Sequence, residues 1–448
     1  MVKDIAYLVE VPSIRDLSTA SQGAPFGKDI RTVFDRFAEI AERKNFHVED
    51  FEGYAMHVEE GEGEEIVGIL GHLDVVPVYD EDMWSSNPFT LSERDGHLYG
   101  RGVNDDKGPV IGCLYAMMIL REMGVKFKRK VRLILGGAEE TTWECMNHYF
   151  KMNPQPVAAF SPDGNFPIVN GEKGILYYSL KKNYETINDR KYNLIKVTSI
   201  EENGFICNYV KAVFETLDKE GLKNLLSNHS NLYEEDGKII VEYRGERALS
   251  RNPDRAYNSV FKFAKDLENI SSLNSKGICF EHILNKYFTD GIYGEKVGLY
   301  VKDEEMGTST CSIMNINYDE EGFTINFDYR YPKGISKESI LNKFNKIADL
   351  EKVDISIFKD MNLLYVSPNH ELIKELGRSY KEVFEEEPQL LSKGAASYAR
   401  VLENGVAFGP TIEGDKPNSH EADENIRIET LFKAIEVYLY AIYNLACK

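Results

Sequence analysis

Short, largely apolar runs alternate with longer helical patterns along the first third of the chain. The runs Ile66 to Leu70 (IVGIL), Val131 to Leu135 (VRLIL) and Val157 to Phe160 (VAAF) are typical of strands that are buried on both faces. Apolar periodicity predicts helices from Pro109 to Met123 and from Thr142 to Met152. Strands, polar turns and helices therefore alternate, which predicts a largely parallel sheet with helices on its faces.

The middle of the chain has shorter strands of alternating polarity and separate helices, which is typical of an α+β domain. The predicted elements are Lys238 to Gly245, Asn258 to Asn269, Thr324 to Tyr331 and Lys337 to Leu350. From His370 the long helical pattern resumes, and it ends in the apolar helix Leu431 to Ala446. We therefore predict an α/β fold in which a mostly parallel-sheet domain, residues 1–172 and 365–448, carries an inserted α+β domain, residues 173–364.

Composition narrows the possible functions. The net charge of -20 argues against nucleic-acid and anionic-membrane partners, because either surface needs clustered Lys and Arg. The 6 cysteines include no C-x-x-C pair, which indicates neither a disulfide framework nor a thiolate zinc site and fits a reducing cytoplasm. Charged residues interrupt the N-terminal stretch and no apolar run reaches membrane-spanning length, so we expect no signal peptide and no membrane segment.

The motif LYGRGVNDDKGP, Leu98 to Pro109, places adjacent carboxylates in a Gly-bounded turn before an apolar helix. A carboxylate held on such a turn, here Asp105, can give one oxygen to each of two cations, which two-metal sites place about 3.5 to 4 Å apart. The alternative is an ordinary helix N-cap formed by Asp105 or Asp106. The turn by itself does not separate the two interpretations.

Similar groups follow two of the predicted strands. In GHLDVVP, residues two apart point to the same side, so Asp74 can reach a ring nitrogen of His72 and fix its tautomer while the other nitrogen binds metal. In GGAEETT, one of Glu139 and Glu140 can bind metal while the other acts as a base. The alternatives are a solvated loop histidine and a pair of capping carboxylates.

Two further candidates lie downstream. Asp163 in SPDG follows the third strand, and His420 in NSHEADENI precedes the last helix; alone, they are an ordinary turn aspartate and a structural histidine. The combined set has nitrogen and oxygen donors without thiolate: His72, Asp105, Glu140, Asp163 and His420. Such a set suits Zn²⁺ or a harder ion such as Mn²⁺. Water between two such ions would become more acidic, and Glu139 could transfer its proton to a leaving amine.

These motifs resemble those of the dinuclear metallopeptidases that include aminoacylases, carnosinases and PepV-type dipeptidases. The matching phrases occur in the family order: GHLDVVP, GRGVNDDKGP, the AEE of Ala138 to Glu140, SPDG and the late His420. The longer phrases SPDGNFPIVNGEKG, GAASYAR and VAFGP look most like those of the PepV-type dipeptidases. The resemblance implies a catalytic α/β domain with an inserted, ferredoxin-like lid domain.

The resemblance also implies roles for the residues. One ion would be held by His72, Asp105 and Asp163, and the other by Asp105, Glu140 and His420. Asp74 would orient His72, and Glu139 would be the general acid and base. The implied cofactors are two divalent ions, most simply Zn²⁺, and the implied activity is cleavage of the amide bond of short peptides. The insert is longer than a single ferredoxin-like unit, and because an enlarged lid replaces the partner subunit in PepV-like members, a monomer is implied.

Two residues of the insert match substrate-binding positions of the family. Arg330 in DYRYP matches an arginine that takes the substrate carboxylate, which suits a planar guanidinium; the alternative is an exposed strand arginine. Asn208 in CNYVKAVF resembles a lid asparagine near the substrate, although Lys211 replaces the proline that is usual in that phrase.

The sequence departs from the family at Leu249 in GERALSRNPD, where the family places a histidine that donates to the oxyanion. Losing such a donor typically costs about 10² to 10³ in turnover. Another donor such as His229, His282 or Arg251 could replace it, or the substrate could need less help. The rival functions are an amidohydrolase acting on N-acyl amino acids and a peptide-binding or metal-sensing relative that has lost turnover.

Overall fold

The computed structural model describes residues 1–79, 81–184 and 190–448. The chain forms two compact units. The first unit consists of Met1–Gly171 and Leu364–Lys448, and the second of Glu172–Leu363.

A nine-stranded sheet lies at the centre of the described part of the first unit. Its strands follow the order Val48–Phe51, Ala55–Glu60, Lys130–Gly136, Ile66–His72, Ala158–Ser161, Gly405–Ala407, Ile168–Glu172 and Leu364–Tyr365, with Leu390–Lys393 paired to Ile168–Glu172. The four strands from Lys130–Gly136 to Gly405–Ala407 are parallel, which confirms the predicted α/β class. Val48–Phe51 and Ala55–Glu60 are antiparallel because the connection between them is too short for a crossover.

Helices and short strands surround this sheet. The helices are Val2–Val9, Lys28–Arg43, Lys107–Glu122, Glu144–Met152, Glu371–Phe384 and Ile428–Ile442, with shorter helical turns at Leu17–Thr19, Glu81–Met83, Tyr398–Val401 and Tyr443–Cys447. The remaining strands are Ser92–Arg94, His97–Tyr99, Gly164–Asn165, Pro410–Thr411 and Asn425–Arg427. Among the described residues, no helix combines the length and the apolar character that crossing a membrane requires.

The helix Lys107–Glu122 packs closely against the helix Ile428–Ile442. Gly112 makes this approach possible, because a Cβ atom at that position would lie 3.1 Å from Cγ1 of Ile435. The helix is buried along most of its length, as expected for a helix between a sheet and an outer helical layer. Its first turn is thereby fixed directly beside Asp105.

The second unit is an α+β structure with an eight-stranded sheet in its described part. The strand order is Asn231–Glu235, Lys238–Arg244, Tyr209–Glu215, Asn193–Ser199, Thr310–Tyr318, Gly322–Tyr331, Gly174–Asn183 and Asp354–Met361. Its other elements are the hairpin Lys302–Asp303 with Gly307–Thr308, the helices Lys219–Leu225, Ser259–Glu268, Ser275–Tyr287 and Lys337–Glu351, and the turn Pro253–Arg255. Aromatic rings such as Tyr178, Phe327 and Phe344 pack between sheet and helices.

His57 is a buried titratable group of the first unit. It is 4% exposed, and its Nδ1 lies 2.8 Å from the hydroxyl of Tyr149 on the neighbouring helix. Burial, reinforced by the positive charge of Arg132, lowers the pKa of His57 to about 4. An unfolded histidine titrates near pH ~6.5. Between these values the unfolded chain binds a proton that the folded chain does not, so stability falls as the pH falls.

We predict that His57→Gln removes this pH dependence. Between pH ~6.5 and ~4, the wild-type free energy of unfolding should fall relative to that of the variant by up to about 1.4 kcal/mol per pH unit. Urea unfolding at a series of pH values measures this difference. His97→Gln, at a partly exposed histidine of the same unit, serves as the control. A difference between wild type and His57→Gln that stays constant with pH would contradict the assignment.

Candidate active site

Three neighbouring parallel strands carry candidate residues at their carboxyl ends. His72 is the last residue of its strand and pairs in register with Gly136. Glu139 and Glu140 follow the strand that ends at Gly136, and Asp163 follows the strand Ala158–Ser161. Because parallel strands end at the same edge of a sheet, residues far apart in sequence converge there.

Asp105 lies between two histidines. Its Oδ1 is 2.9 Å from Nε2 of His72, and its Oδ2 is 3.1 Å from Nε2 of His420. Asp163 Oδ2 lies 3.9 Å from the same His72 nitrogen, and Glu140 Oε1 lies 3.1 Å from the same His420 nitrogen. The structure therefore brings the five residues into two groups that share Asp105.

Helix capping does not explain these carboxylates. The helix Lys107–Glu122 begins after Asp106, whose side chain makes no capping hydrogen bond. The helix Glu144–Met152 begins after Trp143, likewise without a side-chain cap. Asp106 therefore occupies the N-cap position without capping through its side chain, and the capping alternative is wrong for Glu139 and Glu140.

Asp74 positions its neighbours through two different groups. Its backbone oxygen accepts a hydrogen bond from His72 Nδ1 at 2.9 Å, whereas its carboxylate is 3.6 Å from that nitrogen. This bond leaves His72 Nε2 facing Asp105. The carboxylate accepts from the backbone N–H groups of Glu139 and Glu140, each at 3.1 Å. The spacing predicted a contact with His72, but it did not predict that Asp74 also holds the turn that bears both glutamates.

The two histidines and Asp105 stabilise one another's charges. Burial opposes protonation of His420, but its hydrogen bonds with Asp105 and Glu140 raise the pKa of His420 to about 11. Burial likewise opposes protonation of His72, yet its contacts with Asp105 and Asp74 raise its pKa well above the ordinary value. Burial would raise the pKa of Asp105, but hydrogen bonds from both histidines hold it well below its usual range.

The pKa values of the other carboxyl groups shift in the opposite direction to that of Asp105, upward. Burial and the negative charge of Asp105 raise the pKa of Asp163 to about 7 and also raise that of Glu140. Burial raises the pKa of Glu139 well above its usual range, although the positive charge of His72 acts to lower it. The site therefore holds more acidic groups than its two histidines neutralise.

This donor set fits divalent cations. His72, Asp105 and Glu140 each offer one ligand atom, and these atoms lie within 4.8 Å of one another. Imidazole nitrogen and carboxylate oxygen without thiolate suit Zn²⁺ and harder ions such as Mn²⁺. Bound cations would supply the positive charge that the crowded carboxylates need.

Glu424, which the sequence reasoning missed, fixes the loop that carries Asp105. It is 1% exposed. Its carboxylate accepts from four donors of this loop: Arg101 Nη1 at 2.8 Å, and the backbone N–H groups of Gly102, Asn104 and Asp105 at 3.0, 3.0 and 3.2 Å. Glu424 also follows His420 by four residues, so it ties together two segments of the site. The sequence around Glu424 is acidic, as in a solvent-exposed loop, so it gives no indication that Glu424 is buried.

The predicted substrate-binding residues lie in the second unit. Arg330 is 5% exposed, with Nε 2.8 Å from Asp328 Oδ2 and Nη2 3.2 Å from the hydroxyl of Tyr177. The alternative of an exposed strand arginine is therefore wrong. Asn208 is partly buried, and its backbone oxygen accepts from the N–H of Gly245 at 2.8 Å.

Leu249 forms an isolated antiparallel bridge with Phe205. Of the candidate replacement donors, His282 is half exposed and lies 3.4 Å from Glu351. Arg251 follows Ser250, whose hydroxyl donates at 2.6 Å to the same Asp328 oxygen that accepts from Arg330 Nε. Burial, and then the like charge of Arg330, lower the pKa of the Arg251 guanidinium. The structure thus brings Arg251 close to a predicted substrate-binding residue.

Comparison with known proteins gives consistent results. The model of Peptidase family M20/M25/M40 matches residues 68–444. "Putative dipeptidase YtjP" of Bacillus subtilis (strain 168) is 32% identical over 100% of this chain and 97% of that protein. The M20 family metallo-carboxypeptidase Sso-CP2 from Sulfolobus solfataricus has a TM-score of 0.60 at 17% identity, covering 99% of both chains. The aminoacylhistidine dipeptidase from Vibrio alginolyticus has a TM-score of 0.61 at 14% identity, covering 100% of this chain and 96% of that one. Both solved structures share the fold.

We predict that Glu424→Gln destabilises the first unit, because it leaves Arg101 buried without its counter-charge. Breaking a buried ion pair typically costs about 3 to 5 kcal/mol of unfolding free energy. Chemical denaturation measures the loss. Glu421→Gln, an exposed change in the same loop, should shift stability by less than about 0.5 kcal/mol. Equal stability of the two variants would show that Glu424 does not hold this loop.

Proposed function

The chain belongs to Peptidase family M20/M25/M40, a family of metallopeptidases, and on this premise we propose that it is a two-metal dipeptidase acting on short peptides with free termini. The observation that carries the proposal is the Asp105 carboxylate, which has one oxygen beside His72 and the other beside His420. Each histidine also has a second carboxylate nearby, Asp163 or Glu140. A shared carboxylate between two ligand groups is what a paired-ion hydrolytic site requires.

The two ligand groups define the proposed ion sites. One ion would be held by His72, Asp105 and Asp163, and the other by Asp105, Glu140 and His420. When bound, such ions polarise a substrate carbonyl and make water acidic enough to ionise near neutral pH. We propose Zn²⁺ as the native ion, with Mn²⁺ as the alternative, because the donors are imidazole and carboxylate.

Glu139 is the proposed general base and acid. Its backbone is held on both sides: its N–H donates to Asp74 Oδ1 at 3.1 Å, and its carbonyl accepts from Trp143 Nε1 at 2.7 Å. Glu139 would take a proton from the attacking water and deliver it to the nitrogen of the leaving amine. Such proton transfer typically contributes about 10²- to 10⁴-fold to the rate.

Arg330 is the proposed partner of the substrate carboxylate. Contacts with Asp328 and Tyr177 hold its guanidinium in place, and a planar guanidinium pairs with a carboxylate through two parallel hydrogen bonds. Asn208 would add a polar contact to the substrate. Both residues belong to the second unit, for which we propose the role of a lid.

We also propose that the chain works as a monomer in the cytoplasm. The eight-stranded sheet of the second unit supports the first part, because it is larger than a single β-α-β-β-α-β unit. The cysteines support the second part, because Cys113, Cys145, Cys207, Cys279, Cys311 and Cys447 are all free thiols.

Metal analysis with a dipeptide panel tests the function. We expect about two bound ions per chain and hydrolysis of dipeptides with free amino termini. Glu139→Gln should lose about 10²- to 10⁴-fold in kcat while it retains the ions, since Glu139 is not a proposed ligand. Glu144→Gln, at an exposed residue of the same segment, is the matched control.

Two results would change the conclusion. Fewer than two ions per chain, with no hydrolysis after Zn²⁺ or Mn²⁺ is supplied, would reject the dipeptidase. Cleavage of acetylated amino acids in preference to dipeptides would instead identify an amidohydrolase acting on N-acyl amino acids.

Leu249 supports the rival function, a peptide-binding or metal-sensing relative without efficient turnover, because leucine cannot donate to an oxyanion. If the missing donor limits the rate, Leu249→His should raise kcat by about 10² to 10³. Steady-state kinetics on the best dipeptide measures this effect, with Leu249→Met as the control for a side chain of similar size that cannot donate a hydrogen bond. Unchanged kinetics would mean that another residue supplies the donor, whereas peptide binding by calorimetry without any product would support the binding function.

A further inference from the structure

The histidines of the two proposed ion sites are held in different ways. His72 is 0% exposed, and its Nδ1 has an acceptor in the carbonyl of Asp74 at 2.9 Å. The side chain of His420 is 53% exposed, and its Nδ1 has no hydrogen-bond partner among the residues that the structure describes. A histidine that binds a metal is normally oriented by an acceptor at its second ring nitrogen. The orientation of His420 therefore has to come from the backbone that carries it.

That backbone has a conformation that is unfavourable by itself. His420 belongs to the loop of residues 412–424, which we call the His420 loop. The φ angles of Asn418, His420 and Asp423 are 52°, 68° and 54°. This left-handed region is uncommon for residues that carry a side chain, and it persists only where the surrounding structure fixes it. The His420 loop therefore needs contacts that hold it in place.

Asn425, which follows the His420 loop, holds both flanks of its central part. The N–H of Asn425 donates to the carbonyl of Pro417 at 2.8 Å. Its side-chain amide donates to the carbonyls of Lys416 and Asp423 at 3.1 and 3.0 Å. These bonds fix the residues on either side of 418–422, but they do not reach His420 or its immediate neighbours.

The side chain of Asn104 supplies the contact nearest to His420. Its Nδ2 donates to the hydroxyl of Ser419 at 3.1 Å. Among the described residues, and apart from the contacts of the His420 ring, no other hydrogen bond joins residues 418–422 to another segment. Asn104 is 7% exposed, and its own N–H donates to Glu424 at 3.0 Å. The donor is thus fixed before it meets Ser419.

Asn104 also immediately precedes Asp105, the carboxylate that both ligand groups share. Two consecutive residues therefore act on the site in different ways, since Asp105 offers its oxygens directly and Asn104 holds the residue beside His420, 315 positions away from it in the sequence. Loss of the bond between Asn104 and Ser419 would release the backbone of His420. It would leave the contact between His72 and the Asp74 carbonyl intact.

We propose that Asn104 is a positioning residue for His420. Through Ser419 it sets the affinity of the ion site that contains His420, and it does not affect the ion site that contains His72. This inference rests on the proposed function and identifies which of its two ions depends on the hydrogen bond.

Zn²⁺ affinities of the metal-free, full-length protein, measured by competition with a chromophoric chelator, test the proposal. Asn104→Leu keeps the size of the side chain and removes the donor. It should weaken the binding of one of the two ions about 10- to 100-fold, the usual cost of losing a residue that orients a metal ligand, and leave the other ion unchanged. Ser419→Ala should have the same effect. His420→Ala, which removes the ligand itself, identifies the affected ion.

Three further variants separate the hydrogen bond from other effects of the changes. Asn104→Leu combined with Ser419→Ala should weaken the ion no further than either change alone, because both remove the same bond. Ser419→Thr keeps the hydroxyl and should retain most of the affinity. Ser92→Ala is the matched control and should leave both ions unchanged, because the hydroxyl of Ser92 lies 3.0 Å from that of Ser86 and contacts no proposed ligand.

Unchanged affinities in Asn104→Leu, an equal loss of both ions, or additive effects in the double variant would overturn the proposal. Urea unfolding of the metal-free variants distinguishes a purely structural role, which would lower the free energy of unfolding while both ion affinities stay as in the wild type. If Asn104→Leu does not fold, Ser419→Ala decides the proposal by the same measurement.

The outcome for the proposed function is separate. If the wild type binds two ions and cleaves no dipeptide, the proposed function fails, and the ion affinities of the variants still decide the inference. Fewer than two ions per chain in the wild type would reject both.

Discussion

The site depends on the Asp105 carboxylate, whose two oxygens each lie beside a different histidine. Asp105 can join the two ligand groups only if one of its oxygens stays beside His72 and the other beside His420. Hydrogen bonds to the backbone enforce that division, because Glu424 accepts from the N–H of Asp105 and from others of the same loop. The loop conformation, and with it the direction of the Asp105 side chain, is therefore set by a residue that does not belong to the two ligand groups.

Other side chains around the site also hold candidate ligands in place. Asp74 fixes one ring nitrogen of His72 through its carbonyl and the two glutamates through its carboxylate. Tyr398 packs edge-on against the ring of His72, with 6.0 Å between centroids. A group that is held in place before the reaction loses little freedom during it, so this rigid support is what allows such a site to act on its substrate.

The second unit has a different electrostatic character. The first unit gathers carboxylates and would attract cations, whereas the region around Arg330 and Arg251 gathers guanidinium groups and would attract anions. The net charge of -20 does not reveal this division of charge between the two regions.

The sequence by itself determined the α/β class and the inserted α+β segment, because buried strands and amphipathic helices leave periodic apolar patterns. It also indicated candidate site residues, since Asp105, Glu140 and His420 lie in motifs with recognisable residue types. Tertiary structure alone decided how these residues are held. Glu424 lies 319 residues from the N–H of Asp105 that it binds, and Ser250 and Arg330 come from separate segments to bind the same oxygen of Asp328. Local patterns do not encode such contacts, because their energy depends on burial and on partners that only the folded chain brings together.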